Sequence, residues 1–155
     1  MHLRFSAPWS PLLTTLSALT VGLAIFFLSA GLTVAAVILV LVLALAAWFA
    51  IVGYVVETDA VIVRRPLSQV RLPLDGLESV EADPAAMRWA LRTFGIGGPF
   101  AFVGHYRSGR LGAFTAYATD RKRAVVLRWP SRAVVVTPDD PETFVAAVAA
   151  AADLG

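Results

Sequence analysis

The chain has 155 residues, of which 58% are hydrophobic and only 15% charged, a balance far above what one soluble core needs. Thirteen basic residues against eleven acidic ones leave a net charge of +2, which does not imply strong affinity for nucleic acid, and no nucleic-acid partner is expected. With no cysteine anywhere, disulfide frameworks, thiolate metal sites and cysteine nucleophiles are excluded as well.

Charge is unevenly placed. After Arg4 the next charged residue is Glu57, so residues 5–56 form 52 consecutive uncharged positions. As one helix at 1.5 Å per residue they would span about 78 Å, more than twice the roughly 30 Å of a bilayer's hydrocarbon core. The run therefore predicts two membrane helices, about 12–28 and 33–55, interrupted at Ser29-Ala30-Gly31 and led in by Pro8 and Pro11. A connection this short makes them antiparallel neighbours. His2 and Arg4 precede the pair, Arg64, Arg65 and Arg71 follow it, and the hairpin loop is uncharged. By the positive-inside rule this predicts a multi-pass protein of the cell membrane with both termini cytoplasmic and residues 1–11 as a tail. Trp9 and Tyr54 are the expected anchors at the membrane interface, and the lipid bilayer is an expected partner. The Arg-rich, Asn-free composition points to GC-rich coding and a bacterial source. A cleaved signal peptide is the competing reading, since Arg4, the apolar run and Ser29-Ala30-Gly31 loosely imitate its three parts. The run holds none of the ionisable side chains that ion pathways and proton relays need.

Residues 56–155 read as a separate domain, large enough for one core. Strands are predicted at 61–63, 70–74, 77–81, 101–107, 111–119, 124–129 and 133–137, with Thr58-Asp59-Ala60, Asp75-Gly76, Ser108-Gly109, Asp120-Arg121-Lys122 and Pro130-Ser131-Arg132 at the turns. Seven or eight strands at this spacing predict a barrel or sandwich. Residues 84–93 fit a short helix or an extended insertion equally well. Asp140 followed by Pro141 marks the start of a final helix whose Phe144, Val145, Val148 and Ala152 share one face.

Few residues invite chemistry. The glycines of Phe94-Gly95-Ile96-Gly97-Gly98-Pro99 precede a strand, whereas a phosphate cradle opens a helix, so they read as turn geometry. Asp139 and Asp140 read as capping residues, and His105 has no second histidine or triad partner in view. Arg64, Arg65, Arg121, Lys122 and Arg123 are the candidates for contact with anionic lipid.

Two apolar helices, a run of antiparallel strands and a closing helix resemble the bacterial PH-like (pleckstrin-homology-like) domain membrane proteins. The resemblance rests most specifically on Phe94-Gly95-Ile96-Gly97-Gly98, Gly104, Gly112, Tyr117-Ala118-Thr119-Asp120 and Pro138-Asp139-Asp140-Pro141 with Phe144. It implies a mainly-β PH-like barrel plugged by the C-terminal helix, and almost nothing about activity. The acidic turn Thr58-Asp59-Ala60 stands where lipid-binding PH domains usually place basic residues, which argues against a specific phosphoinositide pocket. The function expected is a membrane-anchored interaction module binding a membrane or cytoplasmic protein, or a second copy of itself, without catalysis, cofactor or metal. The alternatives are an organiser of anionic lipid and a small accessory subunit of a transporter.

Overall fold

A computed structural model describes residues 3–9, 11–98 and 101–154. In chain order the elements are β1 (Leu3–Ser6), α1 (Pro11–Ser29), α2 (Thr33–Trp48), β2 (Gly53–Val56), β3 (Ala60–Arg64), β4 (Gln69–Pro73) and β5 (Ser79–Ala82). They continue with β6 (Leu91–Gly98), β7 (Ala101–Ser108), β8 (Gly112–Ala118), β9 (Val125–Trp129), β10 (Arg132–Val136) and α3 (Pro141–Ala151).

The helical hairpin turns where its small residues allow it. Gly31 takes φ 74°, and the N–H groups of Gly31 and Leu32 donate to the carbonyls of Leu28 and Phe27, closing the end of α1 in a Schellman turn. The membrane assignment is corrected at this point. Among the described residues no helix is long and apolar enough to cross a membrane. The 19 residues of α1 span about 28 Å and the 16 of α2 about 24 Å, against roughly 30 Å of hydrocarbon. The expected second helix, 33–55, ends at Trp48 because residues 53–56 are β2, hydrogen-bonded along β3 from Gly53↔Arg64 to Val56↔Val61. Part of the uncharged run is therefore uncharged because it lies in a β core. The multi-pass topology falls with this, and so does Tyr54 as an interface anchor, since its side chain is fully buried.

The strands form two sheets. The first has the order β1-β2-β3-β4, antiparallel throughout. The second has the order β5-β9-β10-β8-β7-β6, antiparallel except where β10 lies parallel to β8. Among the described residues neither sheet closes on itself or pairs with the other, so the closed barrel expected from the resemblance is replaced by an open two-sheet packing. The main core lies between the sheets and α3, with Tyr54, Val61, Val63, Val125, Leu127, Val136 and Phe144 essentially inaccessible. A second cluster occupies the other face of the larger sheet, where Phe102, Tyr106, Phe114, Val126 and Val135 pack with Ala86 and Met87. The undecided stretch 84–93 is thus partly a cover for that face and partly the start of β6. Asp140 caps α3 by accepting from the N–H and hydroxyl of Thr143, which holds its carboxyl below the usual carboxylate range.

One buried polar cluster ties the pieces together. The Tyr54 hydroxyl donates to the Tyr117 carbonyl at 2.6 Å and accepts from the Thr137 N–H at 3.2 Å. The Thr137 hydroxyl oxygen accepts from the Thr119 N–H at 2.8 Å, and the Thr119 hydroxyl donates to the Pro8 carbonyl at 2.7 Å. Burial pushes the Tyr54 hydroxyl up to about 12, despite the opposing hydrogen bonds from Thr137.

Two outcomes follow from this packing. Y54F leaves the Thr137 N–H buried without its acceptor, and chemical denaturation near neutral pH is expected to show a loss of about 1–3 kcal/mol. The unfolded hydroxyl ionises near its ordinary 10, two units below the folded value, so this stability is present below pH 10 and is lost as pH rises toward 12. The gap between the parent chain and Y54F should therefore close by about 2–3 kcal/mol across that window; a constant gap would contradict the assignment. At Gly53 an added Cβ would meet the Phe5 carbonyl oxygen at 2.6 Å, so Gly53→Ala is expected to push β1 off the sheet. Amide exchange in β1 should rise and stability fall by about 1–3 kcal/mol; protected β1 amides would refute the close approach.

Candidate functional site

The basic residues singled out by the sequence are not gathered into one patch. Arg64 ends β3 in solvent. Arg65 is half-buried, its guanidinium carbon 5.6 Å from the Phe49 ring centre and 5.5 Å from that of Tyr117. Arg121 lies 4.6 Å over Phe102, which belongs to the cluster on the opposite face of the larger sheet from Tyr117. Arg123 bonds the Asp139 carbonyl and lies 3.7 Å from the Asp120 carboxylate, and Lys122 stays exposed in the 3-10 turn capped by Asp120. Trp9 is 40% exposed just before α1.

Other residues weighed for chemistry take structural positions. His105 is exposed on β7, with its Nδ1 3.2 Å from the Thr115 hydroxyl and its carbonyl accepting from the Thr93 hydroxyl. The Asp139 N–H donates to the Ser6 carbonyl, which holds β1 against the start of α3. Among the described residues no three His, Asp or Glu side chains are grouped to hold a metal ion.

What the structure adds is an apolar open edge. β6 is the last strand of the larger sheet, paired with β7 on one side and with no other strand among the described residues, though α1 approaches it. Leu91 lies opposite Arg107 and Phe94 opposite His105, with the register slipping at Thr93 between them. Leu91 is 76% exposed and Phe94 78%. Just before the strand, Trp89 is 86% exposed and sits at φ 59°, in the left-handed region that a large aromatic residue seldom adopts. On the inner side Tyr106 stacks on Phe114, and its buried hydroxyl has no partner among the described residues. Burial raises that hydroxyl above its ordinary value, against the pull of Arg121 and Arg92.

The glycine segment lies in this strand. Residues 95–98 pair with β7 down to Gly98↔Ala101 instead of forming a free turn, and Pro99 lies outside the described residues. Sequence reasoning missed β6 as an exposed edge because the bulge at Thr93 and the glycines after it break the alternation that marks a half-buried strand. The one available signal was the trio of large apolar residues Trp89, Leu91 and Phe94, interspersed with Arg88, Arg92 and Thr93.

Toward the end of the same sheet where β8 and β10 begin, two adjoining hollows of about 290 and 320 Å³ share Ala113, Ser131, Arg132 and Ala133 in their lining.

Comparison with known families gives one match. A family model described as bacterial PH domain covers residues 52–152, which is 101 of the 155 residues and includes β2 to α3. No curated protein and no solved structure matches the chain.

Proposed function

This chain belongs to the bacterial PH domain family, and we propose that it works as a non-catalytic interaction module that binds a partner protein along β6. The carrying observation is the unpaired outer side of that strand, set beside the exposed Trp89, Leu91 and Phe94. A free strand edge offers a row of backbone donors and acceptors to an added strand, and the apolar side chains next to it supply the contact area that makes such pairing selective. Natural sheets usually blunt a long edge with charge or proline, so an edge carrying Leu91 and Phe94 calls for a covering partner. A left-handed, solvent-facing Trp89 adds the kind of rigid aromatic anchor that concentrates binding energy in interfaces.

The helical hairpin supports the same reading. Leu19, Ile25, Phe26, Leu28, Val34 and Leu41 are each at least 60% exposed, and so much exposed apolar surface is the kind that interaction sites use. No catalytic step is required of such a module.

A photo-crosslinking amino acid placed at Phe94, and separately at exposed Glu142 on α3, tests this in cells producing the full chain. The expected result is an adduct to a foreign protein at position 94 and none at 142, lost on Leu91→Lys. Equal capture at both positions, or adducts of the chain with itself alone, would overturn the reading.

A further inference from the structure

The face of the larger sheet beside this edge carries a row of side chains with a defined chemistry. Leu91 lies opposite Arg107 on β7, and Arg107 opposite Ala113 on β8. Continuing the parallel register Val134↔Thr115 by two residues brings Arg132 on β10 beside Ala113, and Arg132 lies opposite Trp129 on β9. Residues directly opposite one another in a sheet share a face, so Leu91, Arg107, Ala113, Arg132 and Trp129 form one line across five strands. Arg107 and Arg132 are then two strand spacings apart, about 10 Å, with only the methyl group of Ala113 between them. Ala113 and Arg132 line both hollows, Arg107 the first of them and Trp129 the second.

The charges in this line are uncompensated. Arg71, Arg110, Arg123 and Arg128 each lie within ion-pair distance of a carboxylate, whereas neither Arg107 nor Arg132 does among the described residues. Arg132 is held in place by stacking 4.3 Å over the Trp129 ring, which fixes its planar fork instead of neutralising it. Trp129 is only 8% exposed, and its Nε1–H has no acceptor among the described residues. The one carboxylate lining the hollows is Glu78, at the far end beyond Trp129.

We propose that this row receives a carboxylate from an acidic segment of the partner protein, held between Arg107 and Arg132 over Ala113. The inference rests on the partner-binding reading of β6 and gives the partner its chemistry: acidic side chains over the row, apolar ones against Leu91 and Phe94. The exposed Arg107, Ala113 and Arg132 need no rearrangement to accept it.

Fluorescence anisotropy with the full chain and a labelled Glu-rich decapeptide tests the proposal, with the same peptide carrying Gln in place of Glu as its control. The Glu peptide is expected to bind, to weaken about tenfold on Arg107→Gln and further in R107Q/R132Q, and to weaken as salt is raised. Arg64→Gln, off the row, should leave binding unchanged. Because Arg132→Gln also removes the stack on Trp129, Arg107→Gln alone decides the matter. Equal binding of the Gln peptide, or no effect of Arg107→Gln, overturns the proposal. Displacement of the peptide by millimolar inorganic phosphate overturns it too, by showing a site for a free oxyanion. Crosslinking at Phe94 separates the two readings: a foreign adduct that persists undiminished in R107Q/R132Q leaves docking on β6 intact and removes the acidic segment.

Discussion

The fold depends on a single buried hydroxyl. Tyr54 stands on the second strand of the smaller sheet, and its oxygen reaches both the Tyr117 carbonyl on β8 and the Thr137 N–H just past β10. Those two groups belong to strands that lie parallel to each other, the only such pair among the described strands. Parallel pairing leaves more slanted and slightly weaker hydrogen bonds, and an external clamp at its end compensates for that. The clamp extends outward through Thr137 and Thr119 to the Pro8 carbonyl, so the segment leading into α1 is fastened to the same point. Around it Phe144 meets Phe5 edge-on at 5.1 Å and Tyr54 at 6.1 Å, which places the closing helix, the first strand and the clamp in one contact set.

This clamp explains which parts of the fold were legible in the sequence. Strands at 61–63, 101–107, 111–119, 124–129 and 133–137 alternate or run apolar between clear turn residues, and each appears within two residues of where those signals put it. Asp140 with Pro141 is a local signature, and the helix starts there. Residues 53–56 behave differently. Gly-Tyr-Val-Val continues an apolar helix pattern without a break, and only a partner more than forty positions away in sequence, Phe5, together with the adjoining hairpin to β3, makes it a strand. Hydrophobicity alone does not say whether an uncharged residue is uncharged for a membrane or for a β core. Here residues 53–56 pair in the sheet and α2 stops at Trp48, 16 residues long.

The candidate site was less legible, for a related reason. Runs of basic residues are visible in a sequence, and they drew attention to Arg64-Arg65 and Arg121-Lys122-Arg123. The fold spends several of these locally: Arg65 against Phe49 and Tyr117, Arg121 on Phe102, Arg123 on Asp120 and the Asp139 carbonyl. The basic residues that share a face, Arg107 and Arg132, are isolated in the sequence and meet only because β8 separates β7 from β10. Cross-strand neighbours are set by register, and register between distant strands is carried by no local pattern.

The larger sheet is covered unequally, and this asymmetry bears on how the chain engages other molecules. One face is closed by residues 83–88 with Ala86 and Met87, and the other is shared between the smaller sheet and α3 only over part of its width. Ala101 and Val103 at the start of β7 lie in that main core, whereas toward the other end of the same face Leu91, Phe94, His105, Arg107 and Ala113 remain in solvent. A second layer of equal width would have buried that surface at the cost of desolvating two arginines without partners. Leaving it open keeps the arginines hydrated and places them beside an unpaired strand edge. Charge and free backbone together make a surface that selects as well as binds, since the edge accepts many strands and the arginines discriminate among them by charge.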